Sequence, residues 1–377
     1  MADNKDKKVL NVPALRFPEF TGEWERHKLS EVCSFYSGGT PSSSKKEYYN
    51  GNIPFVRSGE LHKDYTELFI TEAGLSNSAA KLVETGDLLL ALYGATSGDI
   101  AISKIKGAIN QAILCIRTKQ NKKFIESVWN KHVERLLQTY LQGGQGNLSA
   151  DIVKNIPFYF ANSDEQDKLA KFISLLDERI VTQNKIIEKL ETLIKGIRHN
   201  IFKQLRKNVG FNATIGNILS FEQPQRYIVS SAEYSNDCTF TPVLTANKAF
   251  ILGYTTETDG IYSKGDCIII DDFTLDCKYV SFPFKVKSSA IKILTAKNKF
   301  ILRYTYEYLK SLELSTEEHK RHYIAEVQPH SCVLPDENTL KTIALVFENL
   351  ACKLADEQSL VLILNKQKQY LLSKMFI

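Results

Sequence analysis

The sequence feature that most constrains the fold is a heptad pattern of apolar residues that occurs twice. From Leu169 to Ile201, the residues reached by alternating steps of four and three are apolar at nine of ten positions. The pattern returns at the end of the chain, from Ile343 to Met375, with eight of ten positions apolar. Such a pattern over about 33 residues is typical of a long helix that packs against another helix. We therefore predict two long helices that pack on each other, antiparallel because each one ends a repeat.

The two heptad patterns share one polar layer. Gln183 interrupts the first pattern, and Glu357 occupies the matching position of the second. A polar pair inside an apolar seam is typical of a position that sets the register of two helices. The seam residues that we predict to pack between the helices are Leu169, Ile173, Leu176, Ile180, Gln183, Ile187, Leu190, Phe347, Leu350, Leu354, Glu357, Val361 and Leu364.

Shorter motifs precede each helix in the same order. An apolar-x-x-apolar-x-Ser-Phe pattern occurs at 29–35 and again at 215–221. A Gly-Asp turn leads into an apolar strand at 86–90 and again at 265–270. The offset between matching positions shrinks steadily along the chain, as expected if the second copy has lost loop residues. The sequence therefore indicates a diverged tandem repeat.

Each repeat consists of a β-rich block followed by one long helix, which predicts an α+β fold. We predict an N-terminal segment (1–20), a first block (21–160), a central long helix (161–207), a second block (208–334) and a C-terminal long helix (335–377). Ser163 is the predicted cap of the first helix, with Gln166 completing a capping box. Asp336 and Glu337 favour the start of the second helix.

Composition and charge narrow the function class. Hydrophobic residues make up 43% and charged residues 24%, as in an ordinary soluble globular protein. The sequence has no apolar run of the roughly 18 residues that a transmembrane helix needs, and its first eight residues lack the apolar core of a secretory signal. Seven cysteines without zinc spacing favour a reduced, cytoplasmic compartment. With a net charge of only +5, any nucleic acid is expected to be held by placed side chains.

Motifs that would indicate catalysis are weak. The sequence contains neither a GxxxxGK[ST] phosphate loop nor a GxGxxG turn after a strand. Asp266, Asp276 and Lys278 fit the Asp…Asp-x-Lys pattern of some metal-dependent nucleases, although acids in turns at strand edges are common. His319 and His322 lie three residues apart and offer a minor metal-site alternative, whereas a solvated face is the simpler interpretation. The residues favour a binding protein.

Several stretches resemble the DNA specificity subunits of type I restriction–modification systems. In the first half these are LRFPEFTGEWERHKLSEV (15–32), SGGTPSSSKKEYYNGNIPFVRSGEL (37–61), GDLLLALYGATSGDIAI (86–102) and GGQGNLSADIVKNIPF (143–158). In the second half, TPVLTANKAFILGYT (241–255) and residues 268–294 resemble a second target-recognition domain of that family. The resemblance covers nearly the whole chain. Asp336-Glu337-Asn338 stands where the family usually has Glu-Gln, so we expect a less regular second junction.

The resemblance implies an architecture and a set of partners. Two β-rich target-recognition domains are expected, separated by two long antiparallel coiled-coil helices with pseudo-two-fold symmetry. Each domain would read one half of a bipartite site in double-stranded DNA, and the helices would set the spacer. The helices would also dock two methyltransferase subunits, which two restriction (translocase) subunits join. The chain itself is expected to be non-catalytic and to bind no cofactor, since S-adenosylmethionine, ATP and magnesium belong to the partner subunits.

The residues that touch DNA have to be predicted from chemistry, because recognition domains vary where they read. We chose loops that pair small residues with hydrogen-bond donors, which suit phosphate and base-edge contacts. Lys285 and Lys287 are the preferred phosphate contacts, because residues two apart share one face of a strand. The candidates are Thr40, Lys45, Lys46, Arg57, Ser58, Tyr93, Thr96, Ser97, Asn110 and Gln111 in the first block, and Thr245, Asn247, Lys248, Thr274, Lys285, Lys287, Ser288 and Ser289 in the second.

Two other classes remain open from the sequence. The chain could be a stand-alone DNA-binding or coiled-coil adaptor that has no methyltransferase partner. It could also be a nuclease that uses Asp276 and Lys278. A neighbouring methyltransferase reading frame would separate the specificity subunit from the adaptor, and metal-dependent cleavage by the purified chain would support the nuclease.

Overall fold

The computed structural model describes residues 10–141, 148–246, 249–314, 316 and 320–377. The chain forms two compact units, one comprising residues up to 182 together with 361–377, and the other comprising 183–360. Both long helices are divided between the units, whereas the segments predicted from the sequence kept each helix whole. Within the described part of the chain, no helix is both long and apolar enough to cross a membrane.

The first unit contains ten strands and five helices in its described residues, the last of which continues into the second unit. The strands are β1 (Glu25–Lys28), β2 (Cys33–Ser37), β3 (Tyr49–Val56), β4 (Phe69–Ile70), β5 (Lys81–Val83), β6 (Leu88–Ala91), β7 (Ile100–Ile102), β8 (Gly107–Ile109), β9 (Ile113–Thr118) and β10 (Pro157–Phe160). The helices are α1 (Leu29–Val32), α2 (Glu72–Ser76), α3 (Lys122–Leu141), α4 (Ala150–Asn155) and the long α5 (Ser163–Asn208). Short 3₁₀ turns occur at Lys46–Tyr48, Ser58–Glu60 and Gly94–Thr96.

The described residues of the second unit contain nine strands and three helices. Its strands are β11 (Ala213–Thr214), β12 (Ser220–Glu222), β13 (Thr241–Leu244), β14 (Ile251–Thr255), β15 (Cys267–Asp271), β16 (Cys277–Val280), β17 (Lys285–Val286), β18 (Ile291–Thr295) and β19 (Ser331–Cys332). Its helices are α6 (Ile215–Ile218), α7 (Lys299–Ser311) and the long α8 (Glu337–Met375). A 3₁₀ turn at Gln225–Tyr227 and a π-helical turn at Tyr323–Val327 complete the described elements.

The sheets of the two units share one strand order, except that β5, which pairs with β8, has no counterpart among the described strands of the second unit. An antiparallel sheet runs β2-β9-β6-β7 in the first unit and β12-β18-β15-β16 in the second. In the next sheet, β3 pairs antiparallel with β4 and parallel with β8, as β13 does with β14 and β17. The short pairs β1–β10 and β11–β19 also match. The predicted tandem repeat is therefore confirmed at the level of topology.

The central strand of each repeat explains why the Gly-Asp landmarks lead into apolar runs. In β6, Leu88 and Leu90 face one apolar cluster, and Leu89 faces another. In β15, Ile268 and Ile269 likewise face different clusters. Successive side chains of a strand point to opposite faces, so a strand covered on both faces must be apolar at every position. The run after each Gly-Asp turn is therefore a doubly covered strand.

The predicted seam lies between the long helices in both units. All thirteen seam residues named above are buried or partly buried. In the first unit, the beginning of α5 at Leu169 and Ile173 packs with the end of α8 at Met375. In the second unit, the end of α5 at Ile194 packs with the beginning of α8 at Ile343. Within each unit the helix segments therefore run antiparallel.

The polar layer of the seam is also confirmed. Gln183 donates a hydrogen bond from Nε2 to Oε2 of Glu357, whose other oxygen pairs with Lys353. The ammonium of Lys353 and the amide of Gln183 lower the pKa of Glu357. The Gln183–Glu357 contact fixes which residues of the two helices stand opposite each other, because a one-turn slip would leave both groups without this partner.

The start of α5 differs from the predicted capping box. Asn162 is the cap, since its Oδ1 accepts a hydrogen bond from the backbone N–H of Glu165 at 3.0 Å. The Gln166 amide donates to the carbonyl of Ala161 and to the side chain of Gln120 instead of closing a box. The prediction that Ser163 caps the helix was wrong by one residue, because Asn and Ser are both strong caps and adjacent in sequence.

A buried carboxylate explains the LRFPEFTGEW motif and the Glu-Gln pair at the start of α5. The guanidinium of Arg16 donates to both oxygens of Glu165, each at 2.7 Å, and the indole N–H of Trp24 donates to Oε2 at 3.2 Å. Glu165 is 1% exposed, so these donors replace the water that its charge has lost. The motif therefore fastens residues 15–24 to the first turn of α5.

At the start of α8, the side chain of Asp336 caps the helix that follows it. Asp336 Oδ1 accepts hydrogen bonds from the backbone N–H groups of Asn338 and Thr339, at 3.1 and 3.0 Å. The side chain of Thr339, together with these backbone bonds, lowers the pKa of Asp336. The expected irregularity of this junction therefore takes the form of an ordinary N-cap in place of a buried carboxylate.

Replacing Glu165 by Ala is expected to destabilise the first unit by roughly 3 kcal/mol, because the Arg16 side chain, which is only 15% exposed, loses its partner. Both tryptophans of the chain, Trp24 and Trp129, lie in this unit. Urea unfolding followed by tryptophan fluorescence therefore reports on the first unit. The matched control is Asp164→Ala, one residue earlier and exposed, which should cost less than about 1 kcal/mol. Equal losses in the two variants would contradict a structural role for the buried carboxylate.

Candidate nucleic-acid interface

In the first unit, the fold brings together three of the loop segments predicted to touch DNA. Thr40, just beyond β2, donates a hydrogen bond to Oε1 of Gln111, just before β9, at 2.7 Å. The backbone N–H of Gly38 donates to the carbonyl of Asn110 at 3.2 Å. A side chain at position 38 would clash with the carbonyl of Ile109, so this approach requires glycine.

The third segment joins the same end of the sheet. The backbone N–H of Leu92, at the end of β6, donates to the carbonyl of Ala112 at 2.8 Å. The turn that follows carries Tyr93, whose ring is 37% exposed. Residues 38–40, 93–97 and 110–112 therefore form one surface, which we call the loop cluster of the first unit.

The hydrogen bonds of this loop cluster divide the candidates into two groups. The hydroxyl of Ser97 donates to the carbonyl of Leu92, and the side chain of Asn110 accepts from the N–H of Ala112. Both side chains therefore hold the turns. Gln111 keeps its amide N–H groups for a base-edge acceptor, because Thr40 already occupies its oxygen. Tyr93 and Gln111 are exposed and remain the predicted base contacts of this cluster. Thr96 is half-buried and is assigned to neither group.

Arg57 lies apart from these bonds and is held by carboxylates. Its Nη2 atom lies 2.8 Å from Glu60 and 3.0 Å from Glu67. Burial alone would raise the pKa of Glu60, but hydrogen bonds from Arg57 and Thr66 outweigh it and lower the pKa to about 2. Contact between Arg57 and a base would require Glu67, which is exposed, to give up its bond. The neighbouring Ser58 lies in the 3₁₀ turn that this pair closes.

The lysines of the first block are on the surface. Lys45 and Lys46 are both exposed at the start of the 3₁₀ turn before β3. The ammonium of Lys45 donates to the hydroxyl of Tyr48 at 2.9 Å and lies 4.9 Å from the centre of its ring. Both lysines remain predicted phosphate contacts.

The second unit has a matching loop cluster. The backbone N–H of Asp272, at the end of β15, donates to the carbonyl of Ala290 at 2.7 Å, as Leu92 does to Ala112 in the first unit. The turns joined by this bond carry the candidates Thr274, Ser288 and Ser289. Residues 272–274 and 288–290 form the loop cluster of the second unit. Thr245 is buried, and Asn247 and Lys248 lie outside the described residues.

Some polar groups of this second cluster already form hydrogen bonds within the protein. The backbone N–H of Thr274 donates to Asp271 at 2.9 Å, and the hydroxyl of Ser288 accepts from the N–H of Ala290 at 3.3 Å. Phe273 is exposed at the turn, in the position that Tyr93 occupies in the first unit. Phe273 was not predicted from the sequence, although it and Tyr93 follow the two strands that the repeated Gly-Asp turns introduce.

The prediction for Lys285 was wrong. Its ammonium lies 2.7 Å from a carboxylate oxygen of Glu257 and donates to the carbonyl of Asp259, and its side chain is only 4% exposed. Lys285 and Lys287 do not share an exposed strand face, because β17 ends at Val286. Lys287 is exposed and remains a predicted phosphate contact.

The geometry does not assemble a nuclease site. Asp266 accepts a hydrogen bond from the Tyr279 hydroxyl at 2.7 Å. The register pairs Cys267 with Val280 and Ile270 with Cys277, so Asp266 and Asp276 lie at opposite ends of the β15–β16 hairpin. At about 3.3 Å per residue, more than ~10 Å of strand separates them. Among the residues that the structure describes, no three His, Cys, Asp or Glu side chains are grouped to hold a metal.

The minor histidine alternative is not supported either. His322 is buried, and its Nδ1 lies 2.8 Å from Glu326 while Nε2 lies 3.0 Å from the hydroxyl of Thr316. Both ring nitrogens are therefore engaged within the protein. His319 lies outside the described residues.

Comparison with known proteins shows similarity to DNA specificity proteins. Residues 21–192 match the family model of the type I restriction modification DNA specificity domain. A stretch of 141 residues is 44% identical to the type I restriction enzyme EcoR124I/EcoR124II specificity subunit of Escherichia coli, and covers 36% of this chain and 35% of that protein. A stretch of 203 residues is 24% identical to the MjaVIII specificity subunit of Methanocaldococcus jannaschii, and covers 52% of this chain and 45% of that protein.

Solved structures show the same fold along the chain. The S subunit of a type I restriction–modification system from M. genitalium has a TM-score of 0.64 at 17% identity, and the match covers 97% of this chain and 99% of that one. A chain from a study of complex assembly and conformational transition of the type I R-M system has a TM-score of 0.54 at 14% identity, and the match covers 94% of this chain and 97% of that one.

Residues 21–192 are therefore the part of the chain that is similar to the type I restriction modification DNA specificity domain. The chain spans about a third to just under half the length of the curated relatives named above. The part matched by the specificity-domain model contains the first loop cluster and the beginning of α5. The second loop cluster lies beyond that match and is related to the first by the repeat.

The Glu60–Arg57 pair makes a pH-dependent contribution to the stability of the first unit. Because the folded-state pKa of Glu60 is about 2, below its ordinary value of 4.5, the contribution is fully present above pH 4.5 and is lost as the pH falls toward 2. In urea unfolding followed by tryptophan fluorescence, Glu60→Gln should lower the stability of the first unit at pH 6. The deficit should shrink between pH 4.5 and pH 2. A deficit that is constant with pH would show that Glu60 acts through packing alone.

Proposed function

We propose that this chain is the DNA specificity subunit of a type I restriction–modification complex, in which each unit reads one half of a bipartite double-stranded site. The observation that carries the proposal is the repetition of strand order together with the repeated bond that closes each loop cluster, Leu92 to Ala112 and Asp272 to Ala290. Two copies of one framework can present different side chains at the same sheet end. Such a chain reads two related but unequal half-sites.

The side chains of the two loop clusters support different half-sites. The first cluster offers Gln111 and Tyr93, and the second offers Phe273, Thr274 and Ser289. An amide reads donor and acceptor patterns in the major groove, whereas aromatic and threonine methyl groups contact bases through apolar surface. The exposed lysines supply phosphate contacts, which position the protein without reading sequence.

The long helices supply the spacer between the half-sites in this proposal. Helices α5 and α8 contain 46 and 39 residues, so each is roughly 60–70 Å long at about 1.5 Å per residue. The Gln183–Glu357 layer locks their register, and α5 continues without a break from one unit into the other. In this proposal, the length of the helices determines the length of the unread spacer.

The exposed faces of the long helices support docking of two methyltransferase subunits. These faces carry large apolar side chains that the seam does not use, and exposed apolar patches mark interaction surfaces. They are Leu175, Val181, Leu362, Ile363 and Tyr370 in the first unit, and Ile186, Leu193, Leu345 and Val346 in the second. We further propose that two restriction subunits join this complex, that S-adenosylmethionine, ATP and magnesium bind those partners, and that this chain is non-catalytic and works in the cytoplasm.

Lys287 and Lys285 form a matched pair for testing DNA contact. Lys287→Gln should weaken DNA binding about threefold to tenfold and reduce the salt dependence by about one counterion, with unchanged thermal stability. Lys285→Gln should instead lower stability by roughly 2 kcal/mol, because Glu257 and the Asp259 carbonyl lose a buried donor. Fluorescence anisotropy with duplex DNA and thermal unfolding followed by circular dichroism measure the two effects. The assignment of Lys287 is wrong if its loss leaves the salt dependence unchanged.

The function itself is tested by modified-base sequencing of a methylation-free host. The host should acquire a bipartite methyladenine motif when it expresses this chain with the neighbouring methyltransferase, and none with the methyltransferase alone. Exchanging residues 211–334 for the second block of another family member should change one half of the motif and leave the other half and the spacer intact. If a soluble, associated pair of proteins gave no motif, the adaptor function would replace the proposal.

A further inference from the structure

A basic cleft in the first unit is not explained by the loop cluster. It has a volume of about 760 Å³ and lies between the second half of α3, the β1–β10 pair and residue 377. Four of its lining side chains, Arg26, Lys131, His132 and Arg135, can carry positive charge. None of the described residues that line it is an aspartate or a glutamate. Such a concave, electropositive surface suits an anionic group.

The arginines of the cleft differ from the others in the first block and the segment before it. Arg16, Arg57 and Arg117 each form an ion pair with a carboxylate. Arg26 and Arg135 are both exposed, and neither forms an ion pair with a residue that the structure describes. The two guanidinium groups that lack such a pair in the described part of the block therefore line the same cleft.

The half-buried Lys131 deepens the positive potential of the cleft. Lys131 donates to the carbonyl of Phe376, and a ring nitrogen of His132 lies 2.8 Å from the main-chain oxygen of Ile377. Burial lowers the pKa of Lys131, and the nearby charges of Arg135 and Lys374 lower it further. Burial and the charges of Lys131 and Arg135 lower the pKa of His132 below its ordinary value, so this ring adds no charge at neutral pH. The charges of Lys131 and Arg135 repel each other, and a bound anion would relieve the repulsion.

Helix α3 places the cleft beside the loop cluster. On one side of the helix, the indole N–H of Trp129 donates to the carbonyl of Gly98, which directly follows the Tyr93–Ser97 turn. The cleft lies against Arg135 and Tyr140, further along the same helix. Arg135 lies about 9 Å further along the helix than Trp129 at ~1.5 Å per residue, and a helix with its side chains is about 10 Å across, so the cleft lies roughly 15 Å from the segment that carries Tyr93.

We propose that this cleft binds a phosphate group of the DNA backbone that flanks the half-site read by the first unit. The inference rests on the proposed function for the origin of the phosphate, while the anion chemistry rests on the cleft alone. Guanidinium groups bind phosphate oxygens in pairs of parallel hydrogen bonds, which makes Arg26 and Arg135 the contacting residues. Lys131 adds a further positive charge beside them. The cleft increases affinity and fixes orientation without reading a base.

The test measures DNA affinity as a function of salt for the chain in complex with its methyltransferase. Two duplexes are used, one with the motif found by base sequencing and one with both half-sites scrambled. The double variant Arg26→Gln/Arg135→Gln should lose affinity for both duplexes by the same factor, about tenfold or more. The slope of log affinity against log salt should become shallower by about one for each phosphate that the variant no longer binds.

Lys119→Gln is the matched control. It removes the same type of charge from an exposed position of the first block. Lys119 precedes α3, whereas Arg135 lies near the far end of that helix, about 20 Å away at ~1.5 Å per residue. The control should therefore leave the slope unchanged. A change in the control half as large as that in the double variant would overturn the site, because the effect would then follow the number of charges removed.

Further outcomes separate the sources of the anion. An unchanged slope in the double variant overturns the proposal. If inorganic phosphate at constant ionic strength stabilises the wild-type complex but not the variant, while the DNA slope is unchanged, the site takes free phosphate and the DNA source is wrong. If the variant instead loses its methyltransferase on size exclusion, the occupant is an acidic protein segment. Failure of the proposed function is distinct, because base sequencing would then give no motif, whereas the salt dependence of binding to the scrambled duplex would still test the cleft.

Discussion

The packing of α5 against α8 is the framework on which each block is built, and carboxylates fasten a block helix to it in both units. In the first unit, Asp177 of α5 lies 2.7 Å from Lys123 of α3 and 2.5 Å from Lys368 of α8. In the second unit, Glu307 of α7 lies 2.8 Å from Arg198 of α5. Glu307 is 1% exposed and also pairs with Arg303 of its own helix, so moving α7 on α5 would deprive a buried carboxylate of one of its two partners. The orientation of each block on the helices is thereby fixed.

The two repeats keep one topology while their interiors have diverged. At the end of the central sheet, the first unit has Leu92 and Leu114, both buried in an apolar cluster. The second unit has Asp272 and Lys292 at the matching positions, joined by an ion pair at 3.1 Å that is almost fully buried. Asp272 also accepts a hydrogen bond from the backbone N–H of Tyr323. A buried ion pair adds little net stability, but its directional bonds position the π-helical turn in a way that leucines cannot.

How far the sequence predicted the structure depended on whether a feature is local. The heptad seam and the Gln183–Glu357 layer were predictable, because periodicity along one helix determines which face is buried. The cap of α5 was missed by one residue, since Asn162 and Ser163 are equally suited to the role. The prediction for Lys285 was wrong because its side chain is buried in an ion pair with Glu257, which lies far from it in the sequence. The contact between Thr40 and Gln111, 71 residues apart, also required the tertiary fold.

The way in which the chain is divided between the two units has a consequence for folding during synthesis. The second unit is one continuous stretch of chain, whereas the first closes only when residues 361–377 join residues from the beginning of the chain. The carbonyl of Lys374 accepts a hydrogen bond from the N–H of Leu15, and Phe376 packs against Trp24 and Phe124. Contacts between the two ends of the chain form late, because closing so long a loop costs entropy before any contact repays it. On the ribosome, the block that is translated first therefore has to wait for the last turns of α8 before its core is complete.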